Sequence, residues 1–279
     1  MIMISTKRTA RGITNSSKNK KFLAFIYIHM QLGWSIEVCV ERAVKEGQFR
    51  REEIVCTKTL YNMIAKGLLD IKSCDLPEKM QRKKNKKVEH HPRPNLRKMG
   101  RSIEERDKAV FERKEIGHRE LDTVRGARGG RDTLVTFIER KTRFLIVLRV
   151  HYSKSNVVVG AIRDYINSFG AFKSKIFKTI TTDNGSEFST LPELEKELET
   201  LIYLTHPYSA YEKGTNERHN RLIRRHIHKG KKIEAFTDEY ICKVQNWCNT
   251  LPGGADKNLD CFLPYKKLCG IKRIKLKKH

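Results

Sequence analysis

This 279-residue chain is short of acid: 32 Asp and Glu stand against 58 Lys and Arg, a formal charge of +26. That excess of positive charge has no acidic counterpart within the chain, which points to a polyanion, with nucleic acid ahead of an anionic membrane surface. Long hydrophobic runs are also missing. The longest, Phe22–Met30, is far too short to span a bilayer, which excludes a membrane-spanning helix there. No small-residue cleavage pattern accompanies it, which argues against a secretory signal. The 7 cysteines are odd in number and none falls in a Cys-x-x-Cys pair. That sets aside a disulfide framework and a zinc site, and leaves scattered reduced thiols in a cytoplasmic protein. His90, His91, His206, His226 and His228 pair with no Cys at zinc spacing. The Gly126–Gly130 stretch lacks the Lys-Ser/Thr ending of a phosphate-binding loop and reads as a hairpin turn.

What is present suffices for a core and, at this length, for two unequal domains. Residues 1–20 are polar and basic and read as an arm. Residues 21–75 carry a helical pattern. Ser35 caps a helix bearing Ile36, Val38, Cys39, Val40 and Ala43, and Thr57 caps another bearing Leu60, Tyr61, Ile64 and Leu68, with Gly67 near its end. With Lys58 and Asn62 pointing outward, this is either a helix-turn-helix unit or an ordinary helical hairpin, and the net charge favours the DNA-binding alternative. Residues 76–113 read as a basic linker. Its Lys79–Lys98 stretch, which includes Lys83 and Lys84, holds nine Lys or Arg against one acid and is suited to lie along phosphates. Residues 261–279 form a basic tail.

From about Glu115 strands and helices alternate, and residues 114–260 read as a second domain. Strands are expected at 119–124, 133–139, 144–151, 175–182 and 201–205, and helices at 156–169, 192–200, 215–228 and 237–249. Three antiparallel strands, a helix, then strand, helix, strand, helix is the order of the ribonuclease H-like fold. The expected class is therefore α/β: a mixed five-stranded sheet flanked by helices, preceded by a small helical domain.

Three acidic residues occupy distinctive places in this order. Asp122 lies in the first strand, Asp183 ends the fourth, and Glu217 opens a helix rich in arginine. An Asp inside a strand runs against propensity, which by itself suggests a role. Asp183-Asn184-Gly185 is also a common turn sequence, and Glu217 also suits a helix start. Together, three carboxylates suit two divalent ions, hard cations that prefer oxygen ligands, and their chemistry beside a polyanion is phosphodiester cleavage and transfer. Helical spacing places Glu217, Arg221, Arg224 and His228 on one face, suited to a phosphate backbone, with Leu222, Ile223 and Ile227 toward the core. Trp247 reads as a packing residue, whereas Tyr208 and Tyr211 suit packing or base stacking.

At these residues the chain resembles the insertion-sequence-thirty family of transposases, within the retroviral-integrase superfamily. The resemblance runs through Thr59–Leu69, Gly100–Arg106, Ile116–Val124, Thr181–Phe188, His206–Ser209 and Gly214–Arg225. It implies a DDE transposase with Asp122, Asp183 and Glu217 as catalytic and metal-binding triad, and two Mg²⁺ ions with Mn²⁺ as a substitute. Asn184, Gly185, Glu187 and Asn216 would support the site, while Arg221, Arg224 and Arg225 would contact DNA. The implied partners are inverted-repeat ends, target DNA and further copies of the chain, with the nucleoid as place of action. An aromatic residue is usual at the place of Arg119. The alternatives to strand transfer are a shortened transposase that binds DNA without catalysis, and a nuclease of the same fold.

Overall fold

The computed structural model describes residues 17–76, 100–206 and 209–251. These residues fall in two compact units, helical to residue 76 and built on a sheet from residue 100 to 250. The arm, the Lys79–Lys98 stretch with Lys83 and Lys84, and the basic tail lie outside the described residues, as does Tyr208. Among the described residues no helix is long and apolar enough to cross a membrane.

In the helical unit α1 (Ser17–Gln31), α2 (Ile36–Lys45) and α3 (Thr57–Ala65) enclose Phe22, Ile26, Ile36, Cys39, Ala43, Leu60 and Ile64. Ser35 caps α2 as expected, its Oγ accepting from the Val38 amide at 3.5 Å. Thr57 does not cap α3. Cys56 takes the cap position without a side-chain hydrogen bond, and Thr57 is the first helical residue. Gly67 ends α3 at φ +67°, where an L side chain would be strained, and the Leu68 amide turns back onto the Met63 carbonyl. Tyr61 Oη donates to Glu37 Oε1 at 2.8 Å, tying α3 to α2, while Lys58 and Asn62 stay exposed.

The second unit is a six-stranded mixed sheet in the order β1-β6-β5-β2-β3-β4. Its strands are β1 (Arg101–Ser102), β2 (His118–Arg125), β3 (Asp132–Glu139), β4 (Leu145–His151), β5 (Thr179–Thr182) and β6 (Leu201–Leu204). β2, β3 and β4 form an antiparallel meander through the Gly126–Gly130 turn, and β5 and β6 add in parallel to β2. This is the expected ribonuclease H-like order. The one strand beyond the expected five, β1, pairs with the far edge of β6, where Gly100 packs closely against Pro192 and Leu204. It was hidden because two residues carry no periodicity. The span read as linker also yields the short helix α4 (Lys108–Phe111) and buried Ile103, Arg106 and Val110.

Every residue of β3 is buried, because helices cover both faces of the sheet. Leu121, Val135 and Phe137 point toward α5 (Ser155–Asn167), with Val158, Ile162 and Ile166. Val124, Leu134 and Ile138 point the opposite way, toward Ile223 of α8 (Gly214–His226) and Ile241 and Val244 of α9 (Asp238–Thr250). The edge strand β4 is closed by side chains. Asn249 exchanges two hydrogen bonds with the Leu145 backbone at 2.8 and 2.9 Å, and Gln245 accepts from the Val147 amide at 2.7 Å.

Two expected elements changed. Of the 175–182 strand only β5 is extended. Its first part is the helical turn α6 (Lys173–Ile176), which buries Ile176. The 192–200 helix shrinks to a 3-10 turn at Leu191–Leu194 followed by α7 (Glu195–Leu198).

Burial on α8 gives the unit a dependence on pH. Desolvation pushes the pKa of His219 down to about 4. The free imidazole titrates near ~6.5, so between those values the unfolded chain binds a proton that the folded chain refuses. The stabilisation is complete above pH ~6.5 and is lost toward pH 4, by roughly 3 kcal/mol across the window. Urea unfolding at about pH 7 and about pH 5 should show this loss, and His219→Gln should remove most of it. An equal loss in the variant would place the dependence elsewhere.

Candidate active site

Asp122 and Glu120 share a face of β2, because side chains alternate along a strand. That face turns toward α8. β2 and β5 pair as His118 with Thr179, Arg119 with Ile180 and Glu120 with Thr181. Continued by two residues, this parallel register sets Asp122 beside Asp183, just beyond the end of β5. The two carboxylates meet one cation there. Lys213 Nζ lies 3.3 Å from Asp122 Oδ1 and 3.0 Å from Asp183 Oδ2. The other oxygen of Asp122 accepts from Asn220 Nδ2 at 2.7 Å. The Lys213 side chain is 8% exposed, against 22% for Asp122 and 45% for Asp183, so the acids open to solvent and the ammonium lies behind them.

Glu217 stands apart from this pair. It is exposed on the first turn of α8, on the side of the helix that carries Asn220. Among the described residues no three His, Cys, Asp or Glu side chains gather closely enough to hold a metal ion. The register and packing bring Asp122 and Asp183 together, but not the third member. Two carboxylates sharing a single cation do fit a divalent ion, since both present hard oxygen donors at one point.

The start of α8 is fastened by a residue that sequence reasoning passed over. Glu120 is fully buried on β2. Its Oε1 accepts from Arg140 Nη1 at 2.6 Å and from Thr215 Oγ1 at 3.0 Å, and its Oε2 from the Asn216 amide at 3.1 Å. A carboxylate here satisfies an otherwise orphan amide of the helix and complements its dipole. The available signal was a second acid two residues before Asp122, hence on the same face. Arg106 lies nearby, donating to Thr181 Oγ1 at 2.9 Å, and burial with the adjacent Arg140 charge lowers its pKa to about 10. It therefore remains protonated.

The loop after Asp183 is closely packed. Asn184 Nδ2 donates to the Thr205 carbonyl at 2.9 Å, and the Gly185 amide to Asp183 Oδ1 at 3.1 Å. A Cβ on Gly185 would lie 2.7 Å from Glu187 Oε2 and 2.9 Å from Asp183 Oδ1, so only glycine leaves both carboxylates in place. Glu187 is buried between Thr123 Oγ1 at 2.8 Å and Arg125 Nη2 at 2.9 Å. Asn216 is buried beside Glu120.

The basic residues of α8 divide. Arg221 is exposed, whereas Arg224 donates to the Arg125 carbonyl at 2.6 Å and Arg225 is half-buried. α8 ends at His226, so His228 lies beyond the helical face assigned to it. Arg119 is fully buried. It donates to the Ile176 carbonyl at 3.1 Å and stacks on the Phe177 ring at 4.6 Å. His206 sits between Glu212 and Glu104, and its hydrogen bond to Glu212 raises its pKa.

Known proteins match this sequence. The probable transposase for insertion-like sequence element IS1161 of Streptococcus salivarius is 40% identical over 188 residues, 66% of this chain and 51% of its own. The transposase for insertion sequence element IS4351 of Bacteroides fragilis is 30% identical over 169 residues, 59% of this chain and 48% of its own. The transposase InsI of element IS30C of Escherichia coli K12 is 30% identical over 153 residues, 55% of this chain and 39% of its own. The chain is related to insertion-sequence transposases. It spans about half the length of these relatives or less. No family model matches it. A solved catalytic core domain of BIV integrase covers 54% of this chain and 96% of its own, at 14% identity and a TM-score of 0.38.

Removing the Glu120 carboxylate leaves Arg140 buried without its partner, which costs about 3–5 kcal/mol. Glu120→Ala should show that loss in urea unfolding, together with faster amide exchange at Thr215–Glu217. Full stability, or unchanged exchange at those amides, would separate Glu120 from the placement of α8.

Proposed function

We propose that this chain is a transposase of the DDE type, a metal-dependent polynucleotidyl transferase that cleaves and joins the DNA ends of a mobile element. One observation carries the reading: Asp122 and Asp183, far apart in sequence, converge on a single cation at the open end of β2 and β5. Relatedness to insertion-sequence transposases supports it independently. Asp122 and Asp183 would hold the ions, and Glu217, exposed on the first turn of α8, would complete the set by turning its side chain toward the two aspartates. The chemistry supplied by a bound Mg²⁺ pair, with Mn²⁺ as substitute, is activation of the attacking oxygen and neutralisation of charge at phosphorus. The chain's own residues bind and orient. Glu120 holds the start of α8 against β2, Gly185 lets Asp183 and Glu187 close around the loop, and Asn220 fixes the rotation of the Asp122 carboxylate. Arg221 on α8, and Lys58 and Asn62 on α3, offer exposed groups to the DNA backbone and grooves. Lys83 and Lys84 would add phosphate contacts from the basic stretch, and Arg225 from the end of α8.

The partners in this reading are inverted-repeat ends, target DNA and at least one further copy of the chain, because joining two element ends requires both to be held together. The place of action is the cytoplasm, on the nucleoid. The exposed position of Glu217 favours a second reading, DNA binding without strand transfer.

Incubation with a DNA carrying the element's ends distinguishes the two. In the first reading wild type nicks and joins that DNA in Mg²⁺ or Mn²⁺, while Asp183→Asn and Glu217→Gln lose about a hundredfold or more of the product and retain salt-sensitive binding. Equal behaviour of wild type and Asp183→Asn would end the enzymatic reading. Binding without any product would establish the second.

A further inference from the structure

Lys213 belongs to no role assigned above, yet its ammonium occupies the most constrained position in the site. It is buried, it bridges Asp122 and Asp183 at 3.3 and 3.0 Å, and it lies 3.5 Å from the Leu121 carbonyl. All three contacts are to oxygen, so the ammonium meets a hard oxygen set of the kind a divalent cation uses. Lys213 immediately precedes α8, which Glu120 holds in place through Thr215 and Asn216. The side chain is therefore delivered to the aspartates by a fastened element.

We propose that Lys213 is a built-in competitor for the divalent ion. This rests on the metal-dependent reading above. With the ion absent, the ammonium offsets one of the two negative charges of Asp122 and Asp183 and keeps two facing carboxylates compatible with the fold. Entry of a divalent ion displaces it, because an ion and an ammonium cannot share those oxygens and the doubly charged ion wins the Coulomb competition at such distances. The freed lysine then stands at the rim of the site as a mobile positive charge, suited to a phosphate of bound DNA. Lys213 acts through the aspartates and is a positioning residue.

The test is the binding of Mn²⁺, followed by calorimetry and by the rise in melting temperature of the full chain over its value in EDTA. Lys213→Met and Lys213→Gln, which remove the charge and keep an unbranched stem one atom shorter, should melt lower than wild type in EDTA and bind Mn²⁺ about tenfold more tightly or better. Lys213→Arg keeps the charge and should bind Mn²⁺ as wild type does. Lys213→Met/Asp183→Asn should lose the gain, which ties it to the pair and not to the overall fold. If Met and Gln variants bind Mn²⁺ no more tightly than wild type, while Asp183→Asn binds it less well, the competitor role is overturned and the metal site stands. If neither wild type nor any variant binds Mn²⁺, both this inference and the metal-dependent reading fall.

Discussion

A single buried carboxylate sets the geometry on which the candidate site depends. Glu120 leaves β2 on the same face as Asp122 and receives the Arg140 guanidinium, the Thr215 hydroxyl and the Asn216 amide. Taking a carboxylate out of water is costly, and these donors make its burial tolerable by satisfying both oxygens. In return the first turn of α8 is held against the strand. Lys213, one turn earlier, and Asn220, one turn later, then reach Asp122. Without this tie, the first turn of α8 would lose its anchor, and the helix would be held to the sheet further along, by Asn220 on Asp122, Arg224 on the Arg125 carbonyl and buried Ile223.

The second constraint is electrostatic. The chain carries a large excess of positive charge, yet its candidate site is built around acids. Two carboxylates at one strand end repel one another unless a cation lies between them. The structure resolves this with the chain's own lysine. Elsewhere the described acids are largely committed to structural pairs, Asp132 with Arg149 and His151, and Glu187 with Arg125. Unlike the buried Asp132 and Glu187, Asp122 and Asp183 open to solvent on one side, which is what a site for ions and a polyanion requires.

Much of the architecture was legible in the sequence because it rests on short-range regularities. The strand runs at 119–124 and 133–139 were readable, as were Ser35 as a cap and the turn at Gly126–Gly130. Elements too short for a period to develop were not: β1 has two residues, and the stretch before β5 turns helical because tertiary packing buries Ile176. Arg119 shows the same limit. An arginine in a strand carries no signal that it will be fully buried, since the Ile176 carbonyl and the Phe177 ring that accept it come from elsewhere in the fold.

For the site itself, local context singled out Asp122, because an acid within a strand is unusual there, whereas Asp183 in its common Asp-Asn-Gly turn gained its meaning from the combination with Asp122 and Glu217. Sequence also placed Glu217 at a helix start. Which groups touch was decided by the tertiary structure alone. The contacts joining β2 to Lys213 and α8 span 91 to 99 residues, and no local pattern encodes partners at that separation. The sheet register set Asp122 beside Asp183, and the placement of the start of α8 against β2 brought Lys213 and Asn220 within reach of them. Residue type and period are properties of the chain, whereas register and helix rotation are settled by which buried polar groups find partners as the two elements come together.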